Sequence, residues 1–431
     1  MVHSVKHLLM LVPFFPPMGG GGVYRPLAFV RHLPRHGWRT TVITPPGDAF
    51  WISDPGLLER VPPECRVVRT RTLSGQWWLA RGRGSRAPQK RSSRGFGAAR
   101  RAAAALLLPD SYVGWVPFAT RAALAAAAGE RFDAVYSTSP PESTHLAAAR
   151  VQSRTGLPWI ADFRDPWMNL HLLEPPTVLH AGLHRRLEAR VCAQAEVVVT
   201  TRWHEAMLRG LYPHARLTRI ANGYDGEELA RVAGVSPARR PFRIVHAGML
   251  TQKRSAVVFM AALQRWLAST PEARGEVEVE FLGPREDENE VAVGRFGLHG
   301  VVRFRDTVPH GETLRIERAA HVLLLIKHAN PRYDGLVPGK LYEYIGLGRP
   351  VLALAPAGEA RALVDALRRG ETADPSDVDG IARALGVMFA HHRAGRLDSA
   401  YDLSTRPEFD RSRQAGELAA LLDRAAGGRT P

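Results

Sequence analysis

The chain has 431 residues, 45% of them hydrophobic, and a formal charge of +16; it is too long for one core and ordinary in apolar content, which gives a soluble protein of at least two domains. Its two cysteines, Cys65 and Cys192, are far apart and in no metal-ligand spacing, which excludes a disulfide framework and points to a reducing cytoplasm. No stretch approaches the ~18 apolar residues of a membrane span, and the apolar run from Leu8 to Phe15 meets prolines and four glycines rather than a signal-peptide cleavage pattern.

In chain order, Leu8 to Val12 reads as a buried strand, and Pro13 to Gly22 as a loop that is first stiff and then permissive. Val23 to His36 has helical periodicity with Leu27, Val30 and Leu33 inward, Gly37 closes it, and Thr40 to Thr44 is the next strand. This is a Rossmann-like βαβ opening without the dinucleotide fingerprint, because Arg25 follows Gly20 and Gly22 where a third glycine is required. Gly20 and Gly21 still let backbone N–H groups approach a ligand, or simply make a tight turn.

Residues 45–80 alternate short strands and loops, with Trp77 and Trp78 as an apolar anchor. From Arg66 to Pro109 there are eleven cations and no acid, so this segment calls for an anionic partner. Its Gly/Ser/Arg-rich part, residues 81–101, reads as mobile, followed by a short helix from Ala102 to Leu108. Phe132 to Tyr136 is a strand, and the loop from Ser137 to His145 runs into a helix ending at Thr155 and Gly156. Trp159 to Ala161 is another strand, with Asp162, Arg164 and Asp165 at its C-terminal end, where ligands meet parallel sheets. Asp162 and Arg164 fit either a structural ion pair or a substrate role, and His145 either a packed helix-start residue or a catalytic group.

Leu183 to Gln194 is an amphipathic helix, Ala195 to Thr201 a buried strand, and residues 226–241 a linker. Phe242 to Ala247 opens a second Rossmann-like unit; Gly248 to Arg254 is its loop and Ala256 to Leu267 its helix. Strands follow at Val277 to Leu282 and Val301 to Phe304, then a helix from Glu312 to Ala320 and a fully apolar strand from Val322 to Ile326. Pro338 suits the first turn of a short helix that Gly348 and Pro350 stop before the strand from Val351 to Ala355. On that helix Leu341, Tyr344 and Ile345 share the inward face, while Lys340 and Glu343 share another that can meet a ligand. Asp377-Val378-Asp379 is helix-start chemistry rather than a metal signature, His391 and His392 read as solvated, and a last helix spans Glu408 to Ala425.

The stretch from Gly335 to Leu354 resembles the donor-site signature of GT-B glycosyltransferases of the family-4 type, and the resemblance extends over nearly the whole chain. The Gly20-Gly21 loop, Leu107 to Trp115, the Asn222-Gly223-Tyr224-Asp225 phrase and Gly248 to Arg254 resemble further parts of that family. The resemblance implies an α/β GT-B fold of two Rossmann-like domains facing a central cleft. These are an acceptor-side domain at 1–218 and a donor-binding domain at 219–402, with a helix at 403–431 crossing back to the first. It places Glu343 on ribose hydroxyls and makes Gly20, Gly21, Gly248, Lys253, Arg254, Val337, Lys340 and Leu341 donor-binding. His145 and Asp162 become catalytic, and Arg25, Arg164 and Asp165 acceptor-side. Its substrate is a nucleotide sugar of UDP or GDP type, with no cofactor and no metal, and its acceptor a glycan or lipid-linked molecule in cell-surface polysaccharide biosynthesis. Two positions depart from the family: Gly335, beside Asp334, stands where an upstream Glu is usual, and Met249 where a cation is usual.

An epimerase of the same fold is a rival reading, as is an inactive scaffold; a phosphorylase lacks an identifiable pyridoxal-binding lysine. Nucleic-acid binding is not expected, since residues 81–95 carry no interleaved aromatics. The basic segment 81–101, next to Trp77 and Trp78, instead predicts peripheral association with an anionic inner membrane face.

Overall fold

The computed structural model describes residues 5–48, 52–73, 107–168, 175, 177–250 and 254–427. Trp77, Trp78, the basic segment 81–101, most of the helix expected from Ala102, and Lys253 lie outside them. The chain forms two compact units, residues 1–222 with 411–431, and residues 223–410.

The first unit is a parallel sheet of seven strands: β1 Lys6–Leu11, β2 Trp38–Thr44, β3 Arg66–Arg69, β4 Ala134–Ser139, β5 Trp159–Phe163, β6 Glu196–Val199 and β7 Arg216–Arg219. They are ordered β3-β2-β1-β4-β5-β6-β7. Leu8 to Leu11 have no exposed surface, as a central strand covered on both faces requires. The register sets Leu8 opposite Thr40 on one side and Ala134 on the other. Among the described residues its longer helices are α1 Gly21–His32, α2 Val116–Gly129, α3 Ser143–Thr155, α4 Val178–Gln194 and α5 Arg202–Leu211.

The second unit opens with a short helix, α6 Gly226–Ala230, and holds a six-stranded parallel sheet ordered β10-β9-β8-β11-β12-β13. Its strands are β8 Phe242–Ala247, β9 Val277–Leu282, β10 Val302–Arg305, β11 Val322–Ile326, β12 Val351–Leu354 and β13 Gly370–Ala373. Its other helices are α7 Val257–Ser269, α8 Asp287–Arg295, α9 His310–Arg318, α10 Gly339–Gly346, α11 Glu359–Ala366, α12 Val378–Arg393 and α13 Leu397–Ala400. The last helix, α14 Arg411–Gly427, returns to the first unit. There Ala415, Leu418, Leu421 and Leu422 join the core of Phe29 and Val30, and Asp423 accepts from Lys6 Nζ and Trp38 Nε1, each at 2.8 Å.

Two expectations need correction. The stretch read as a linker begins as structured chain: Asp225 Oδ1 caps α6 by accepting from the N–H groups of Glu227 and Glu228. Leu229 and Val232 are buried in the core of the second unit with Tyr224, because their i, i+3 spacing puts both on one side of the helical turn. His391 and His392 are not free in solvent either. His392 packs its ring on Phe242 at 4.9 Å and edge-on to His321 at 4.4 Å. Asp377, by contrast, caps α12 through Gly380 N–H.

Candidate functional site

A doubly wound sheet offers a ligand crevice at the C-terminal ends of the two strands where the order reverses. In the second unit these are β8 and β11. Gly248 follows β8 with φ 155°, a conformation side chains avoid, and spends its N–H on Leu282 O at 2.9 Å. His246, two residues earlier in β8, is buried; its Nδ1 meets Leu324 O at 2.8 Å and its Nε2 has no hydrogen-bond partner. Burial pushes its imidazole down to about 4, so it is neutral at physiological pH. Arg254 is exposed at the approach to α7.

Helix α10 is the centre of this corner. Leu341, Tyr344 and Ile345 have no exposed surface and pack in the core, as the periodicity predicts. The Leu341 side chain therefore faces away from any ligand, leaving only its backbone for the donor role expected of it. No side chain caps α10, and its first turn holds no acid; the same is true of α1. The N-termini of α10 and α1 present N–H groups and positive dipole ends with no side-chain cap, whereas at α7 Ser255 Oγ accepts from Val257 N–H at 3.2 Å and Asn289 Oδ1 from Ala256 N–H at 2.8 Å. Elsewhere Thr177, Thr201 and Asp377 close the helices that follow them.

Lys340 and Glu343 do not both point at an open face. Lys340 Nζ lies 3.1 Å from Glu343 Oε1 and 3.3 Å from Glu317 Oε1 of α9, so the lysine is held between two carboxyl groups. His310, the first residue of α9, places Nε2 3.5 Å from Glu343 Oε2 and 3.6 Å from Glu228 Oε2. Burial alone would push Glu343 up, but Lys340, and then His310, more than offset it and hold the carboxyl below its usual range. Lys340 is driven the other way: burial lowers it, while Glu317 and Glu343 raise it well above an ordinary lysine. The result is an ionised Glu343 whose side chain is 18% exposed, braced from behind. Val337 is half-buried just before the helix.

Sequence reasoning missed Glu317. The signal was present: it lies three residues after Leu314, on the inward side of α9, and both are buried. A glutamate on an apolar face needs a partner elsewhere. Lys327 is a second omission. It follows β11 at the crevice, is 6% exposed, and reaches Asp334 O at 3.4 Å; burial lowers its ammonium to about 8.

In the first unit the order reverses between β1 and β4. Gly20, at φ 91°, turns the chain into α1, and Gly21 is the exposed first residue of that helix. Asp162 and Arg164, open between a structural ion pair and a substrate role, do not pair with each other. Arg25 takes Asp162 instead, with Nε to Oδ2 at 2.8 Å and Nη2 to Oδ1 at 3.1 Å. The Tyr136 hydroxyl donates to the same carboxylate. Arg25 also donates to Ala221 O at 2.6 Å and Ile220 O at 3.1 Å. Burial lowers the Arg25 guanidinium, but Asp162 outweighs it and raises it overall. Arg25 is 2% exposed and Asp162 not at all, so this pair is an internal clamp.

Arg164 is a staple between the two switch-point loops. It donates to Ser139 O at 2.9 Å, Pro140 O at 2.6 Å and Gly22 O at 2.9 Å. Asp165 beside it is half-buried, and desolvation raises its carboxyl. His145 has no exposed surface; its Nδ1 meets Ser137 Oγ at 2.8 Å and its ring stacks on Phe163 at 4.6 Å. Burial pushes its imidazole down to about 3. His145 is packed among Phe163 and Trp159, with its Nε2 buried and without a hydrogen-bond partner. Asp110, whose carboxylate accepts from Ser143 N–H and Oγ at 2.7 Å each, is a further half-buried acid at this end, its carboxyl raised by desolvation.

Among the described residues no group of three or more His, Cys, Asp or Glu is arranged to hold a metal ion, and no helix is long and apolar enough to cross a membrane.

No protein-family model and no curated protein sequence matches the chain. Solved structures do match its fold along its length. The sucrose-phosphate synthase of Thermosynechococcus elongatus superposes with a TM-score of 0.68 at 16% identity, over 98% of this chain and 100% of that one. The fold is GT-B. A glycosyltransferase from Rickettsia africae gives 0.67 at 10% identity, covering 99% and 100%. Anabaena HepE in complex with UDP gives 0.64 at 13% identity, covering 97% and 100%. The GT-B architecture expected from the resemblance is thus present. Its two parallel sheets bring Gly248, Arg254, Lys340 and Glu343 to one corner of the second unit, and Gly20, Gly21, Arg25 and Arg164 to the matching corner of the first.

Proposed function

We propose that this protein is a glycosyltransferase that moves a sugar from a nucleoside-diphosphate sugar, of UDP or GDP type, to an acceptor hydroxyl. The observation that carries this reading is Glu343. It is a carboxylate held ionised and partly exposed on an uncapped helix beside the switch point of a Rossmann-like sheet. An ionised carboxylate is acceptor-only and takes two vicinal ribose hydroxyls at once. The uncapped N-terminus of α10 and the exposed Arg254 are suited to the diphosphate, whose charge grows as it departs. The solved complexes of a fold neighbour with UDP and with UDP-glucose support the same class of donor. Lys253 belongs to the same loop as Arg254 and is assigned the same task.

In this reading transfer proceeds with retention at the anomeric carbon and without a metal, the cationic loop and helix dipoles doing the charge work. The test is a panel of UDP- and GDP-sugars scored by thermal shift and by nucleotide release, in excess EDTA. A donor present at about 100 Kd raises folding stability by roughly 2.7 kcal/mol, a clear shift. Binding by none of the panel overturns the donor reading. Activity lost in EDTA and restored by magnesium or manganese overturns metal independence alone.

The acceptor is assigned to a glycan or lipid-linked intermediate of surface-polysaccharide synthesis, reached at the inner membrane face through residues 81–101. That segment carries eight cations and no acid, and each adds ~1 kcal/mol near an anionic bilayer at low salt. Wild-type protein is expected to sediment with anionic liposomes at low salt and release at high salt, and a deletion of 81–101 to stay in solution. Equal behaviour of the two removes the membrane assignment and leaves the transferase assignment standing.

A further inference from the structure

Glu317 sits on the inward side of α9 with no exposed surface. Its Oε1 accepts from Lys340 Nζ at 3.3 Å, while its Oε2 is buried with no donor to accept from. The Glu343 carboxyl shares the same lysine, its Oε1 3.1 Å from Lys340 Nζ, and lies in side-chain hydrogen-bonding contact with Glu317. Two carboxylates cannot bond to one another; a proton must lie between them. Glu343 has Lys340 and His310 beside it and is the one kept ionised. The proton therefore belongs to Glu317.

We propose that Glu317 is a positioning residue for the donor site: a neutral carboxylic acid that donates to Glu343 from behind and fixes the orientation in which Glu343 receives its ligand. This rests on the assignment of Glu343 to the nucleotide sugar. The two groups on α10, Lys340 and Glu343, then form a rigid triad with α9. Without the acid, Glu343 has Lys340 and His310 to follow but nothing to hold its plane. The groups facing this triad are few. Lys340, Glu343 and Tyr344 face Glu317 from α10, and His310 faces Glu343 from the start of α9. Glu228 of α6 stands behind His310, and His246 of β8 faces Lys340. Burial raises Glu317, Lys340 lowers it and Glu343 raises it again, to about 8. The sign follows: the acid is neutral below that value and ionises above it, where its charge repels Glu343.

The experiment is calorimetric titration of UDP, with GDP in parallel, into wild type, Glu317→Gln, Glu317→Leu and Glu343→Ala between about pH 6.5 and 9. Wild-type affinity is expected to hold to about pH 8 and then fall roughly ten-fold per pH unit, as loss of one required proton dictates. Glu317→Gln keeps a donor that cannot ionise. It should match wild type at neutral pH and lose the alkaline fall. Glu317→Leu has no donor and should bind weakly throughout; if it does not fold, the Gln comparison decides alone. A wild-type affinity flat across the range, or an alkaline fall unchanged in Glu317→Gln, overturns the proposal. If Glu343→Ala binds like wild type, the donor-site reading falls and this inference with it. If Glu343→Ala is weak while Glu317→Gln copies wild type at every pH, only this inference falls.

Discussion

Glu343→Ala is expected to weaken nucleotide-sugar binding on the order of a hundred-fold or more, with the fold intact. Each hydrogen bond to a charged group contributes ~1.5–3 kcal/mol, and two ribose hydroxyls are assigned to this carboxylate. Ten-fold in affinity is about 1.4 kcal/mol, so even the lower figure for both bonds gives that loss. The fold survives because the inward face of α10 is carried by Leu341, Tyr344 and Ile345, which are untouched. Lys340 also keeps a partner, since Glu317 Oε1 lies 3.3 Å away. Once the neighbouring carboxylate is gone, Glu317 is free to ionise against the lysine. Calorimetry with the best donor of the panel measures the loss, and circular dichroism checks the fold. Unchanged donor affinity in a folded variant overturns the assignment of this corner to the donor.

The second large effect is on stability, in the first unit. Arg25→Met is expected to destabilise it by about 3–5 kcal/mol, because removing one member of a buried ion pair leaves the other charge uncompensated. Asp162 is fully buried and would keep only the Tyr136 hydroxyl. The carbonyls of Ile220 and Ala221 would lose their donor as well. Those two residues lie at the end of the first unit's main segment, so the clamp ties α1 to the chain where it leaves the sheet. For a domain of this size the loss corresponds to a fall in Tm on the order of 10 °C. The double variant Arg25→Met, Asp162→Leu should recover part of it, since an apolar pair leaves no buried charge. An unshifted Tm with impaired acceptor use would instead restore the substrate role that the resemblance assigns to Arg25.

These predictions separate two kinds of charged residue that look alike in the sequence. Arg25, Asp162 and Arg164 stand where ligands meet a parallel sheet, yet the structure spends them on loops and strands. Arg164 alone satisfies three carbonyls, those of Gly22, Ser139 and Pro140. These carbonyls lie at the start of α1 and at the end of the central strand β4, and a half-buried guanidinium with five donors is an efficient way to satisfy them. Glu343 differs in keeping part of its carboxylate exposed while its partners lie behind it.

The sequence by itself determined the βαβ order, the buried strands and the inward face of α10. Phe242–Ala247, Val277–Leu282 and Val322–Ile326 are delimited to the residue; the last is the continuous apolar run that a strand covered on both faces shows, and the other two are short β-branched and aromatic runs interrupted by single polar residues. It did not reveal β7, Arg216–Arg219, or β13, Gly370–Ala373. These are edge strands whose short polar sequences carry no burial signal. Only the tertiary structure decided who pairs with whom. Arg25 meets Asp162 across 137 residues, and Lys340 meets Glu317 across 23. Charge pairing within the interior depends on which helices the sheet order places side by side, and local periodicity holds no record of that order. The same placement buried His145 in the core and set His310 3.5 Å from Glu343, where with Lys340 it keeps the carboxyl ionised.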